Sequence, residues 1–421
     1  MVIKNIRQQL IMTTVSSIHI YPIKSSAGIS VKEAKVEKQG LAFDRQFILS
    51  EPSGNFITAR TDPKLCLVKT RLLINGIELT APFMPKLILN YDDFAKSYQK
   101  VTIWGDIVSG QHCSKNADSW FSQYLQRPCH LLFFGQDSKR EKYDNDGNLR
   151  KVAFADGYPL LLISKGSLNY LNEQLEQKYS ASNHQEAVAM AQFRPNIVVD
   201  DCLPFAEDGW QNIRIGHVEF SVSKPCERCV FTTINPKDGV KNPLKEPLQT
   251  LKSFRKTDSG EVIFGQNLVP LTTGKIYQGD KLTIMSNQPS PVFNNVTLVN
   301  KPQSPKTTPI DNDEISIQPN TKSMPKKITI TFEKWNKSHK VTLSNNDLTE
   351  NEQTLLENGE DAGLILPYSC RAGMCGRCHA KLISGDVNQL STDGLTEQEV
   401  QDGYILCCSS IAISDVVIQH S

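Results

Sequence analysis

Three cysteines spaced Cys370-x4-Cys375-x2-Cys378, with Cys408 following after twenty-nine intervening residues, constrain the end of this 421-residue chain more than any other feature. Four thiolates at that spacing supply the protein bonds of a [2Fe-2S] cluster, three from one tight loop and one from a distant segment. Gly373 and Gly376 interrupt the loop where backbone wrapped around a small inorganic core needs positive φ or bare amides aimed at sulfide. Zinc also accepts four cysteines, but its usual signature is two short CxxC pairs, and this segment has one. Cys407 beside Cys408 leaves the last ligand ambiguous; the gap from Cys378 favours Cys408 and leaves Cys407 as a buried thiol.

The stretch Gly403-Tyr404-Ile405-Leu406-Cys407-Cys408 resembles the GYxLxC end of plant-type ferredoxins, which implies a β-grasp domain with a one-electron cluster near its surface. The periodicity around it fits that order. Ile328, Ile330 and Phe332 alternate as a strand, Val341 and Leu343 return, Leu355, Leu356 and Gly359 indicate a short helix, and Val416 to Ile418 close the domain. We assign residues 326–421 to it. Residues 287–325 hold seven prolines and little periodic apolar content, which reads as a linker.

The front of the chain is built differently. Ile18, Ile20, Phe43 and Phe47 to Leu49 fall in short strands, Asn75-Gly76 suggests a hairpin turn, and Trp120, Phe121, Tyr124 and Leu125 share one helical face. Leu168, Leu171 and Leu175 mark a helix over 164–178, and 193–285 returns to strands and Gly/Pro turns. Many short strands with few helices predict a mixed, mainly β fold of barrels rather than a doubly wound sheet. We expect an N-terminal barrel subdomain over 12–110 and a core domain over 111–286. Met1 and Met12 are both conceivable native starts.

Charge and cysteine usage narrow the setting. Residues 326–421 carry 8 Lys plus Arg against 13 Asp plus Glu, a net of −5, which leaves +6 for the rest. An acidic end suits docking to a basic redox partner, and a basic body suits an anionic ligand. Eleven cysteines, an odd number, fit a reducing cytoplasm better than a disulfide framework. No run approaches eighteen apolar residues, so membrane insertion is not expected. Basic residues are dispersed rather than arrayed with aromatics, which argues against a nucleic-acid polymer as partner.

A one-electron module attached to a larger body implies an electron acceptor there. Cys226 and Cys229 form an isolated CxxC amid the strand formers Val230, Phe231, Thr232 and Thr233. Disulfide chemistry prefers a helix N-terminus to lower the thiol pKa, so a thiolate ligand to a soft, redox-active metal remains open.

Here the chain resembles the MOSC family, and within it the molybdenum-cofactor proteins of the mitochondrial amidoxime-reducing component type. The matches are YPIKSSAG at Tyr21 to Gly28, GLAFDR at Gly40 to Arg45, FRPNIVV at Phe193 to Val199, PFAEDGW at Pro204 to Trp210 and CERCVFTTINP at Cys226 to Pro236. PLKEPLQTLKSFR and FGQNLVPLTTGKIYQGD extend the pattern to Asp280. The resemblance implies Cys229 as the molybdenum thiolate, with Lys24, Ser25, Arg45, Arg194 and Asn196 holding the pyranopterin and its phosphate. Lys and Arg are suited to phosphate through charge-assisted bonds. Arg228, Thr232 and Thr233 are further expected contacts. Among Asp156, Glu207 and Asp208, Asp208 is the expected acid-base or supporting carboxylate. Ser26 departs from the cysteine that animal members carry, and the fused iron-sulfur domain departs from their separate haem donors.

Together with the cluster motif, the resemblance implies a molybdenum-dependent, two-electron reductase of N-hydroxylated compounds such as hydroxylaminopurines, amidoximes and hydroxylamines. Its electrons are expected from an external NAD(P)H-dependent flavin reductase through the [2Fe-2S] domain. The alternative is a sulfur or molybdenum-cofactor carrier whose ferredoxin module regulates its redox state.

Overall fold

The computed structural model describes residues 12–143, 149–180, 187–293, 327–333, 339–344, 353–364, 366–367, 376–390, 392 and 394–419. The chain divides into two compact units, Met1–Phe293 and Asn294–Ser421. Both are mainly β, as the short alternating runs predict.

In the larger unit an eight-stranded sheet runs in the order Ile29–Val31, Thr14–Ile20, Ile197–Asp200, Leu160–Ser164, Ile263–Pro270, Val218–Glu227, Trp210–Ile215, Leu282–Asn287. Leu282 N–H donates to Thr13 O at 2.9 Å and Val15 N–H to Asp280 O at 2.9 Å, so the far edge returns to the second strand and the sheet curls toward a barrel. One face buries Ile18, Leu162, Val199, Ile213, Phe220 and Leu268. The other packs on Leu171 and Leu175 of helix Lys165–Tyr179, which makes the crossover between the parallel strands Leu160–Ser164 and Ile197–Asp200. Ser164 caps this helix by accepting from Ser167 N–H at 3.0 Å.

A second body combines the five strands Tyr98–Ile103, Asp106–His112, His130–Phe133, Phe47–Ser50 and Phe56–Ile57 with the three-stranded meander Lys69–Leu73, Gly76–Thr80, Leu87–Asn90. Helix Lys115–Leu125 seals it with Trp120, Phe121, Tyr124 and Leu125. Residue 110 lies inside Asp106–His112, and the helix packs on the same core, so we propose that this body ends after Phe133. The hairpin signal at Asn75-Gly76 is shifted by one residue, with Ile74 and Asn75 at the centre and Gly76 opening the return strand against Leu73. Gly76 is required by the third strand, since a Cβ there would lie 2.0 Å from Leu89 O. Phe43, read as a strand residue, instead sits in a turn at φ 68° with 47% of its surface exposed.

The smaller unit is the expected β-grasp. Its five-stranded sheet has the order His339–Ser344, Lys327–Glu333, Val416–Gln419, His379–Ser384, Tyr404–Leu406, with Lys327–Glu333 parallel to Val416–Gln419. Helix Leu355–Asp361, opened by a Thr354/Glu357 capping box, packs Leu355 and Leu356 against Ile330, Phe332 and Ile418. The expected linker lies mostly outside the described residues.

Candidate active site and iron-sulfur site

Cys229 follows the strand Val218–Glu227 in extended conformation and begins the 3-10 turn Val230–Thr233. That turn replaces the strand expected from Val230 to Thr233. Thr232 donates to Cys229 O through both its amide and its hydroxyl at 3.0 Å, and Thr233 Oγ1 donates to Val230 O at 2.8 Å. Short hydroxyl-to-backbone bonds of this kind outcompete β propensity. Both hydroxyls therefore shape the turn. Arg228 is likewise committed: Nε and Nη2 donate to Phe264 O at 2.7 and 2.5 Å, and Nη1 to Phe193 O at 3.2 Å. It ties the cysteine turn to two neighbouring segments.

The remaining expected ligands fall into two groups. In the first, Arg60 Nε donates to Cys229 Sγ at 3.4 Å, and Arg60 Nη2 lies 3.6 Å from Asp156 Oδ2. Asp156 Oδ1 accepts from Trp104 Nε1 at 2.8 Å and from Lys24 Nζ, which also donates to Phe154 O at 2.9 Å. More than half of the Asp156 side chain is open (53%), whereas that of Lys24 is 7% exposed. Protein atoms crowding the Asp156 carboxylate push its pKa up, but Lys24 and Arg60 outweigh this and hold it well below the usual range. Asp156 is thus an acceptor at neutral pH. Burial pulls the Lys24 ammonium down to about 8 against the opposing Asp156 charge.

The second group is a cationic cradle. Arg45 and Arg194 lie over the Tyr21 ring at 4.3 and 4.2 Å. Arg45 Nη1 donates to both Asp44 oxygens at 2.6 Å and to Asn196 Oδ1 at 3.0 Å, while Asn196 Nδ2 donates to His19 O at 3.1 Å. Asn196 therefore braces Arg45. Arg194 Nη1 donates to Ser26 O, but its Nη2 is buried without a hydrogen-bond partner among the described residues. Burial, reinforced by the Arg45 charge, lowers Arg194 to about 10. A buried guanidinium with an orphan donor fits an anionic acceptor such as a phosphate. Lys24, Ser25 and Ser26 are consecutive and join the two groups, with Ser25 itself buried.

Asp208 joins neither group. Its oxygens accept from Arg255 Nη1 and Nη2 at 2.7 and 3.1 Å and from Gln266 Nε2 at 2.7 Å, all buried. Glu207 accepts from Ser164 N–H at 3.0 Å and Ser167 Oγ at 2.8 Å, and burial raises its pKa. Asp156 is the candidate carboxylate that the fold brings toward Cys229. Arg60, Trp104 and Tyr21 were not among the expected site residues; a single Arg or Trp has no spacing pattern to betray it, while Tyr21 opens the YPIKSSAG match.

In the smaller unit, Cys378 and Cys408 are buried, and Cys408 N–H points at Cys378 Sγ at 3.4 Å. Gly376 has the positive φ, 70°, expected of the loop. Burial, together with the neighbouring Cys408, pushes the Cys407 thiol up to about 12. Cys370, Cys375 and Gly373 lie outside the described residues. No helix among the described residues is long and apolar enough to cross a membrane.

Three family descriptions match in succession: MOSC N-terminal beta barrel domain at 12–128, MOSC domain at 149–283, and 2Fe-2S iron-sulfur cluster binding domain at 342–412. The protein is therefore a MOSC-domain protein that carries its own [2Fe-2S] domain. Mitochondrial amidoxime-reducing component 1 of Mus musculus is 34% identical over 289 residues, covering 65% of this chain and 82% of that protein. The Homo sapiens counterpart is 32% identical at 65% and 83% coverage, and component 2 of Rattus norvegicus is 36% identical at 60% and 75%. The chain belongs to the amidoxime-reducing component family, whose members are molybdenum reductases of N-hydroxylated compounds.

Proposed function

We propose that this protein reduces hydroxylaminopurines, amidoximes and hydroxylamines in the cytoplasm, with electrons entering its [2Fe-2S] domain from an external NAD(P)H-dependent flavin reductase. The overall change, R–NHOH plus two electrons and two protons to R–NH2 plus water, balances with the reductase as the electron source. The observation that carries this reading is the Arg60 bond to Cys229 Sγ within a cluster that also holds Lys24 and Asp156, on a chain bearing Cys378 and Cys408.

When bound, the molybdenum cofactor supplies the two-electron chemistry that breaks the N–O bond. Cys229 would supply the thiolate that holds the metal. Arg194 and Arg45 hold the anionic end, Asn196 keeps Arg45 in place, and Ser25 sets the loop that delivers Lys24. Asp156, kept ionised, accepts hydrogen bonds and orients donors at the open side of the cluster. Cys370, Cys375, Cys378 and Cys408 would hold the iron.

The test is a pair of variants in the full chain. Cys229→Ala is expected to lose molybdenum while retaining the iron-sulfur absorbance. Cys375→Ser is expected to do the reverse, turning over only with an artificial reductant. Full molybdenum in Cys229→Ala rejects the ligand assignment, and labile persulfide on Cys229 in a molybdenum-free protein supports the carrier alternative.

A further inference from the structure

Trp104 stands where local chemistry disfavours it. With Gly105 it forms the two-residue turn joining Tyr98–Ile103 to Asp106–His112, and the two have φ of 50° and 85°. Such turns select Asn-Gly or Asp-Gly, because a bulky side chain in the left-handed region is strained. An indole kept there reflects contacts beyond the turn. Its Nε1 donates to Asp156 Oδ1 at 2.8 Å, the Phe56 ring meets it edge-on at 5.0 Å, and the Arg60 guanidinium lies over it at 4.7 Å. Arg60 in turn faces Asp156 with Nη2 and Cys229 Sγ with Nε.

We propose that Arg60 is a positioning residue for the Cys229 sulfur, locked in place by Trp104 and Asp156. This rests on the reading of Cys229 as the metal thiolate. A guanidinium can perform the three tasks at once: an Nε–H directed at sulfur, an Nη turned to a carboxylate, and a flat face on an indole. A lysine would bring the charge without the fixed direction. A thiolate sulfur that accepts a hydrogen bond gives up electron density, so its partner tunes the metal it binds.

The experiment uses the cofactor-loaded full chain and its variants Arg60→Lys, Trp104→Phe, Trp104→Ala and Cys229→Ala. Molybdenum content, kcat and KM for benzamidoxime with a chemical reductant, and the Mo(V) electron paramagnetic resonance signal are read together. Arg60→Lys is expected to keep its molybdenum, lose roughly 10- to 100-fold in kcat per molybdenum and show shifted g-values, as for a lost outer-sphere partner. KM should stay within about threefold, since the sulfur rather than the substrate is being held. Trp104→Phe keeps the stack but not the indole donor and should fall between wild type and Trp104→Ala.

An Arg60→Lys protein with wild-type kcat per molybdenum and an unshifted signal overturns the proposal. So does a loss of activity that tracks molybdenum loss alone. Should Arg60→Lys fail to fold, Trp104→Phe decides by the same signal and rate. Retained molybdenum in Cys229→Ala sinks the thiolate assignment itself, a separate failure.

Discussion

Asp208→Asn separates a structural carboxylate from a reacting one. Asp208 and Arg255 side chains are 4% and 3% exposed, and the carboxylate accepts three hydrogen bonds from Arg255 and Gln266. An asparagine keeps one acceptor oxygen and turns an N–H2 toward donors, leaving the Arg255 charge buried without its counter-ion. Removing one member of a buried pair costs about 3–5 kcal/mol. The Arg255 Nε bond to Ile263 O and its stacks on Phe205 and Phe293 survive, which favours the lower figure. At about 2–4 °C per kcal/mol, a loss of about 3 kcal/mol lowers Tm by about 6–12 °C. Thermal melts followed by tryptophan fluorescence, with buried Trp210 nearby in sequence, measure this alongside turnover per molybdenum well below the transition. The expected result is a lower Tm at unchanged turnover. A variant melting within about 1 °C of wild type while losing most of its turnover would refute the structural assignment and return Asp208 to the reaction. Adding Arg255→Met should recover part of the lost stability, since the stranded charge then disappears.

Two further predictions concern other groups. In cofactor-free protein the Lys24 pKa of about 8 lies below its ordinary 10.5, so the unfolded chain holds the extra proton between those values and stability rises with pH across that window. The stability difference, wild type minus Lys24→Met, should therefore grow by about 2 kcal/mol between roughly pH 7.5 and 10, read from urea midpoints; a flat difference contradicts it. In the smaller unit, Cys408→Ser should lose the visible absorbance and bound iron of the cluster, while Cys407→Ser keeps both. The opposite pattern would make Cys407 the ligand.

The elements legible in the sequence were those fixed by repetition. Leu168, Leu171 and Leu175 recur at helical spacing, and the structure places a helix at Lys165–Tyr179 with the last two buried and Leu168 partly so. Alternation likewise revealed Ile328, Ile330 and Phe332, all buried on one strand. Single-residue decisions were hidden. Val230 to Thr233 have β-prone side chains, yet the two threonine hydroxyls fold them into a turn by bonds that no periodicity displays. Resemblance grouped Lys24 with Arg45 and Arg194, whereas geometry puts Lys24 on Asp156 and the two arginines on Tyr21. The PFAEDGW motif drew attention to Asp208 because its residues match, and that match does not reveal that Arg255 occupies the carboxylate.

What unites the site is backbone that its own residues disfavour. Ser25, Arg45, Arg194 and Trp104 have φ of 70°, 47°, 57° and 50°, and none is glycine. Each such residue costs of order 1–3 kcal/mol and persists only where the surroundings over-determine it. The surroundings here are two sheets that exchange chain. Strand Thr14–Ile20 lies in the eight-stranded sheet, yet four residues past its end Lys24 N–H donates to Phe47 O of the five-stranded one at 2.8 Å. Arg45 N–H donates back to Tyr21 O at 2.8 Å, and Phe154 N–H to Arg45 O at 3.0 Å. The loops carrying Ser25 and Arg45 are thus tied to strands with buried cores. Under the proposed function, arginines fixed in this way would take an anion with little reorganisation, and the same anchoring would let Arg60 hold one sulfur in one direction.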